Sequence, residues 1–224
     1  MRQIVADAED AVEARFSSFV RAVIDGDISA ASRLLTTNPE FATQSFAVGA
    51  TRGGSEEFFY QDIAHYCYRG DTALHMAAAA FQRSTARLLV ENGAALDARN
   101  RRGAEPLHYA ADANRWSPTP QAETLVYLLS VGANANARDA NGATPLHRAV
   151  RTRCALAVGA LLAGGADVHV KNKNGSTPFD LATRDTGRGG SGTPLAREQQ
   201  TEIVALLLAA GGGPAAAPAT QSRR

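Results

Sequence analysis

The sequence predicts an all-α solenoid built from about five helix-turn-helix units joined by short turn or hairpin fingers. One short motif recurs four times along the 224-residue chain. Each copy is followed by a second apolar run that ends in glycine. Aromatic residues make up only 6% of a chain that is 45% hydrophobic, which favours close packing of helices over a sheet sandwich. Repetition at this period is the signature of a solenoid.

The four copies of the motif line up in register from a leading glycine. Those glycines are spaced 33, 39 and 33 residues apart. The copies are Gly70-DTALHMAA, Gly103-AEPLHYAA, Gly142-ATPLHRAV and Gly175-STPFDLAT. The second apolar runs end at Gly93, Gly132, Gly165 and Gly211. A single helix pair cannot bury its own apolar face, whereas stacked pairs share a continuous core.

Each copy also carries the local signals of a short helix. Thr72, Thr144 and Thr177 occupy the N-cap position, where a side-chain oxygen accepts a backbone N–H. Pro145 and Pro178 follow at the first helical position, where the missing N–H costs nothing. The glycines that end the second helices are predicted to be left-handed C-caps.

The T-P-L-H-x-A string and the 33-residue period resemble the ankyrin repeat family. The resemblance implies that His75, His108 and His147 hydrogen-bond the threonine and the adjoining loop. These histidines cannot share a metal, because stacked helices lie roughly 8–10 Å apart and a zinc ion needs ligands at about 2 Å. Glu105 and Asp180 depart from the motif, which predicts weaker caps there. The family binds proteins through its loop tips and the inner face of its first helices.

The repeats predict a division of the chain, and the upstream helix–Gly-Asp–helix pattern predicts one further unit. Phe59, Ile63 and Tyr66 recur at helical spacing, so this part of the insertion that follows the unit is expected to pack against the first repeats. The predicted segments are an N-terminal extension at 1–14, a capping repeat at 15–42, an insertion at 43–69, repeats at 70–102, 103–141, 142–174 and 175–211, and a disordered tail at 212–224.

The tips between repeats form the first candidate binding surface. Residues 1–62 carry a net charge of −5 and residues 63–224 a net charge of +6, which favours an acidic partner for the repeats. Polar tips on a rigid stack suit binding. The predicted partner-binding residues are Arg99, Arg101, Arg102, Arg138, Asn141, Lys171, Lys173 and Asn174.

A second candidate surface comes from two insertions, at about 112–122 and 184–197, that are predicted to fall between the two helices of their units. Insertions at equivalent positions of a solenoid emerge on one edge. Tryptophan and arginine are common at interface hot spots. The predicted basic edge consists of Arg115, Trp116, Arg151, Arg153, Arg184 and Arg188.

Two other kinds of site were weighed against protein binding. Gly187 to Gly192 spell G-x-G-x-x-G, but a dinucleotide loop needs a preceding strand and a later acidic residue on a second strand. Segment 184–197 therefore predicts at most a small anion or nucleotide site, helped by the helix that begins at Thr193. Nucleic-acid binding is the weaker alternative, because the isoelectric point is only 7.9 and no nucleic-acid motif is found.

Catalysis, cofactors and membrane insertion are not expected. His65 and Cys67 are two residues apart, which would point them to different sides of a helix, and no orienting residue is evident. The spacing of His65, Cys67 and Cys154 matches neither a metal-binding motif nor a disulfide framework. The apolar run from Ile203 to Ala210 is too short to span a bilayer. We expect a cytoplasmic, monomeric, non-enzymatic module that binds an unidentified protein, with no metal or cofactor.

Overall fold

The structure, a computed structural model, describes residues 2–51, 53–112, 116–184 and 193–213, with side chains from residue 14 onward. The α-helices within these ranges follow one another in pairs. They are α1 (Arg2–Asp25), α2 (Ile28–Thr37), α3 (Ala73–Ala79), α4 (Arg83–Glu91), α5 (Pro106–Ala110), α6 (Pro118–Ser130), α7 (Pro145–Thr152), α8 (Ala155–Ala163), α9 (Pro178–Thr183) and α10 (Pro194–Ala209).

The pairs stack into two layers. The first helices α1, α3, α5, α7 and α9 pack in succession to form one layer, which we call the inner layer. The second helices α2, α4, α6, α8 and α10 form the other. The core lies between them, where Leu74, Leu107 and Leu146 are completely buried. The predicted all-α solenoid is confirmed, since each helix pair buries its apolar stripe against its neighbours.

The predicted helix ends are also confirmed. Thr72, Thr144 and Thr177 are the N-caps of α3, α7 and α9. The second helices α4, α6 and α8 are each followed by a glycine at positive φ, which lets the chain turn away without a steric penalty. These glycines are Gly93 at +89°, Gly132 at +102° and Gly165 at +84°.

Buried histidines join each repeat to the next. The Nδ1 atoms of His75 and His147 accept the N-cap backbone N–H, from Thr72 at 3.1 Å and Thr144 at 3.2 Å. Because that N–H can only donate, each ring is neutral with its proton on Nε2. The Nε2–H then donates to a carbonyl of the following repeat, Ala104 at 3.1 Å and Ser176 at 3.0 Å. His108 makes the same pair of bonds.

The two departures from the motif keep their caps by other means. The backbone N–H of Glu105 still donates to His108 Nδ1, at 3.1 Å. In the last repeat the Asp180 carboxylate accepts both the backbone N–H and the hydroxyl of Thr177, each at 2.9 Å. Hydrogen bonds from Thr177 lower the pKa of Asp180. The local capping bonds are therefore present in both repeats.

The helical spacing of Phe59, Ile63 and Tyr66 does not correspond to a helix in the insertion. The insertion forms short 3₁₀ turns around a two-stranded hairpin of β1 (Phe59–Tyr60) and β2 (His65–Tyr66), in which Phe59 pairs with Tyr66. Phe59 and Tyr66 are therefore cross-strand partners, with ring centres 4.7 Å apart. The apolar spacing coincides with helical spacing, but the density of aromatic residues is typical of strands.

The two predicted insertions inside the repeats only partly fall between helices. Helix α6 begins at Pro118 and has 13 residues, against 9 in α4 and in α8. Part of segment 112–122 therefore lengthens the second helix. Helix α10 has 16 residues and its N-cap is the predicted Thr193, whose hydroxyl accepts from Ala196 N–H at 3.2 Å. Helix α1 runs through the predicted boundary at residue 14, and the division into repeats stays a prediction.

The histidine bridges make stability depend on pH. Burial lowers the pKa of His75, His108 and His147, that of His108 to about 4. An unfolded histidine titrates near about 6.5, so the unfolded state gains protons first as the pH falls. The contribution of each histidine to the free energy of unfolding is therefore complete above about pH 6.5. It is lost as the pH falls from there to the pKa of the histidine in the folded protein. For His108 we expect a loss of about 2 kcal/mol between about pH 7.5 and pH 5, measured by urea unfolding.

The matched variants separate this effect from general acid sensitivity. His108→Gln should be less stable at neutral pH but lose less stability on acidification than the wild type. His169→Gln removes an exposed histidine and should keep the wild-type pH dependence. Equal pH dependence in His108→Gln and wild type would contradict the assignment.

Candidate functional site

The tips between repeats form a stacked row held by backbone hydrogen bonds. Each tip donates an N–H to a carbonyl of the preceding one, as Arg101 does to Arg69 at 2.8 Å and Ala140 to Arg102 at 2.8 Å. Lys173 continues the row, because its backbone N–H donates to the Asn141 carbonyl at 2.9 Å. Gly103 permits this approach, because a Cβ there would lie 2.9 Å from Ala140 N. The spacing of successive tips is thus fixed by the backbone.

One polar side chain shapes each turn within the row. Asn100 Oδ1 accepts the N–H groups of Arg102 and Ala104, at 2.9 and 3.1 Å. Asp139 and Asn172 make the equivalent bonds in the next two tips. Side chains that bond their own backbone two residues ahead are typical of tight turns. The three tips therefore present their side chains in a common geometry.

The eight side chains predicted to bind a partner are all exposed. They are Arg99, Arg101, Arg102, Arg138, Asn141, Lys171, Lys173 and Asn174. We call this set the basic tip row. The side chains of Lys171 and Lys173 form no hydrogen bond or ion pair with any residue that the structure describes. Both ammonium groups are therefore available to a partner.

Internal contacts hold the arginines of the basic tip row. Arg99 pairs with Glu105 at 2.9 Å, and Arg138 donates to the Lys171 carbonyl. Arg101 donates to the carbonyl of Ala50 in the insertion, and Arg102 donates to Tyr68 Oη at 2.9 Å. Guanidinium contacts of this kind orient the side chains without burying their charge. The sequence did not predict them, because they join segments that are distant along the chain.

The insertion lies against the inner layer beside the tips. The His65 ring stacks on Tyr109 of α5, with ring centres 4.4 Å apart. Every residue of α3 and α5 is buried. In α9, by contrast, Phe179 and Leu181 remain half-buried. The insertion therefore covers the inner layer over its second and third repeats.

A buried hydrogen-bond network anchors the insertion. Asp71 accepts from the Tyr68 backbone N–H at 2.6 Å, from Asn100 Nδ2 at 2.8 Å and from the Tyr109 hydroxyl at 2.8 Å. Asn100 Nδ2 also donates to the Tyr109 hydroxyl, at 2.8 Å. Burial raises the pKa of Tyr109, and Asp71 adds to that shift. One carboxylate thus ties the insertion, a tip and an inner helix together.

An arginine that sequence reasoning missed lies beside this network. Arg148 on α7 is only 9% exposed and its guanidinium bridges two carboxylates, Asp139 at 3.0 Å and Asp112 at 3.4 Å. Burial opposes the ionisation of Asp139, but hydrogen bonds from Arg148 and from the backbone lower its pKa. The available signal was the arginine directly after the histidine in the third motif, a position that the two preceding motifs fill with Met76 and Tyr109.

The predicted basic edge is only partly present. Arg153 was predicted to be exposed there, and that is wrong: it is 5% exposed, because it ends α7 at φ +57° and its side chain turns inward. Arg151 pairs with Asp112 at 3.2 Å, and Arg184 donates to Ser176 Oγ at 3.2 Å. Trp116 is 50% exposed. Arg115, Arg188 and the glycine string at 187–192 lie outside the described residues.

The described residues do not assemble a metal or thiol site. No group of three or more His, Cys, Asp or Glu side chains among them could hold a metal ion. His65 and Cys67 are both buried, with the exposed Tyr66 between them, and His65 lies in the strand β2 rather than in a helix. Burial raises the pKa of the Cys67 thiol well above its ordinary value. A raised pKa disfavours the thiolate form that a nucleophile needs.

Loss of the Tyr109 hydroxyl should loosen the insertion. Tyr109→Phe removes the donor to Asp71 and the acceptor of Asn100, both buried. We expect a loss of about 1–2 kcal/mol in urea unfolding and faster hydrogen exchange at the Tyr68 amide. Tyr127→Phe, on the outer face of α6, serves as the control and should change stability by less than about 0.5 kcal/mol. Equal effects of the two variants would contradict the anchoring role of the network.

Models of ankyrin repeats match the chain in three places. A model of three repeat copies matches residues 19–117, a single-repeat model residues 102–140, and a model of many copies residues 128–182. No curated protein matches the chain significantly. Among the described residues, no helix is both long and apolar enough to cross a membrane. Since the matches run from residue 19 to 182 and the helix pairs stack as described, the chain belongs to the ankyrin repeat family.

Proposed function

We propose that the protein is a non-enzymatic binding module that holds an acidic segment of a partner protein along the basic tip row. Ankyrin repeats are generally protein–protein interaction modules. The observation that carries the proposal is the exposure of six basic side chains on stacked turns, Arg99, Arg101, Arg102, Arg138, Lys171 and Lys173. Electrostatic complementarity of this kind steers association and selects partners by charge.

The rigidity of the row supports the proposal. Binding loses affinity when flexible side chains must be ordered, at about 0.5–1.5 kcal/mol for each one immobilised. Arg99, Arg101, Arg102 and Arg138 already hold internal partners that orient them. Lys171 and Lys173 extend the same surface without such partners. A partner segment that follows the row therefore meets four arginines that are already oriented.

The position of the insertion supports a particular path for the partner. The insertion covers α3 and α5, so the inner layer there is not open to a second protein. Helix α9 keeps Phe179 and Leu181 half-buried and Arg184 exposed. We infer that the partner runs along the tips and reaches the inner layer at its C-terminal end.

The acidic residue within the row does not oppose this path. Asp139 accepts the backbone N–H groups of Asn141 and Ala143 and the guanidinium of Arg148. Its charge is compensated inside the protein, so the outward field of the row comes from the basic side chains. An acidic partner segment gains from that field at short range.

Charge reversal at the open end of the row tests the proposal. Random peptides displayed on phage are selected against the whole chain, and the best binder is synthesised. We expect Lys171→Glu combined with Lys173→Glu to weaken its binding at least about tenfold, or about 1.4 kcal/mol. The dissociation constant is measured by fluorescence anisotropy at low and high salt, and the difference between variants should shrink at high salt.

The control reverses the same number of charges elsewhere. Arg15→Glu combined with Arg33→Glu alters exposed residues of the first helix pair, away from the tips, and should leave the affinity close to that of the wild type. Equal loss in both double variants, or a selection that yields no acidic binder, would refute the proposed surface.

A further inference from the structure

A small polar cavity lies where the insertion meets the inner layer and the tips. Its volume is about 200 Å³. His65, Tyr66 and Tyr68 of the insertion line one side, and Arg102, Asp112 and Arg148 are also in its wall. Residues that line the cavity lie up to 84 positions apart in the sequence. The cavity wall thus combines residues of the insertion, the tip row and the inner helices.

Two guanidinium groups leave hydrogen-bond donors in the wall. Asp112 accepts from two guanidinium groups, those of Arg148 and Arg151. A guanidinium carries five N–H donors. Arg148 donates to Asp112 and Asp139, and Arg102 donates to Tyr68 Oη, so each retains further N–H groups. An anionic acceptor gives a guanidinium N–H a stronger hydrogen bond than a neutral one does.

The size of the cavity restricts what can enter. Pockets that hold drug-sized ligands usually measure roughly 300–1,000 Å³. A space of about 200 Å³ is below that range and accommodates one side chain rather than a nucleotide. Tyr66, 38% exposed, and the ring of Tyr68 offer flat walls to an aliphatic stem. The occupant should therefore be a single side chain or chain end that carries an acceptor.

We propose that this cavity receives one carboxylate of the partner segment, held between Arg102 and Arg148 with its stem against Tyr66 and Tyr68. The inference rests on the proposed function and deepens it, because it names the anchor of the acidic segment. The carboxylate belongs to an Asp or Glu side chain or to the C-terminus of the partner. Arg102 belongs to both the tip row and the cavity wall, so a segment bound along the row passes the cavity mouth.

The experiment is a double-mutant cycle between peptide and protein. The peptide selected above is made with each acidic residue replaced in turn by its amide, and separately with an amidated C-terminus. One of these changes should weaken binding to the wild type at least about tenfold. The same change should weaken binding to Arg102→Met no more than about threefold, because the carboxylate has already lost its contact. Comparing the side-chain amides with the amidated C-terminus shows whether the bound carboxylate belongs to a side chain or to the end of the peptide.

Matched variants keep the test decisive. Arg138→Met removes another exposed tip arginine that does not line the cavity, and it should preserve the full penalty of the peptide change. Arg148→Met leaves Asp139 buried without its partner. The binding data for this variant are therefore interpreted only if its unfolding transition resembles that of the wild type. Arg102→Met does not depend on that condition.

The outcomes separate this inference from the proposed function. If the peptide still depends on Lys171 and Lys173, but no acidic group is coupled to Arg102, the cavity proposal is wrong and the tip-row proposal stands. If the coupling is as strong for Arg138→Met as for Arg102→Met, the carboxylate lies on the tips and not in the cavity. If no peptide binds, both proposals fail.

Discussion

The repeat stack depends on histidines that must stay neutral. Each bridging ring accepts a backbone N–H on one nitrogen and donates to the next repeat with the other, so a proton on Nδ1 would break the first bond. The same ring therefore caps the N-terminus of its own helix and fixes the position of the next repeat. The tip row follows from this arrangement, because His75 binds the carbonyl of Ala104 directly behind the turn shaped by Asn100. A buried ring thus holds each turn of the tip row from behind, in addition to the backbone hydrogen bonds between tips.

The insertion changes what the stack can offer. Inner helices of a solenoid are short and their outward face would otherwise be open, but here α3 and α5 are fully covered by the chain itself. The cover is fastened at Asp71, which collects donors from the insertion, a tip and an inner helix. It also contacts the tips from the side, through Ala50 and Tyr68. The insertion thereby converts part of a broad groove into a small polar cavity.

The parts of the fold that repeat could be predicted, and the parts that occur once could not. Motif spacing located the four helix pairs from α3 to α10, and the helix–Gly-Asp–helix pattern located the first pair. Thr, Pro and Gly located many of the helix ends, since these signals act within a few residues. The insertion hairpin depends on pairing with the chain around it, and the spacing of Phe59, Ile63 and Tyr66 fits a helix as well as a hairpin. The exposed tip residues followed from their position in the turns. The burial of Arg153 and the bridge made by Arg148 depend on how side chains meet across repeats, which sequence spacing does not encode.

The last repeat gives the array a direction. Asp180 stands where the preceding repeats carry a histidine, and it completes the cap of Thr177 with a side chain too short to reach a further repeat. A histidine at that place would carry an Nε2–H that needs an acceptor, whereas the Asp180 carboxylate needs none. A copy of a middle repeat that is inserted before the last repeat can form the histidine bridges to the repeats on both sides. One appended after it would meet Asp180 in place of a bridging histidine, so a unit inserted before the last repeat keeps the bridges and a unit added after it does not.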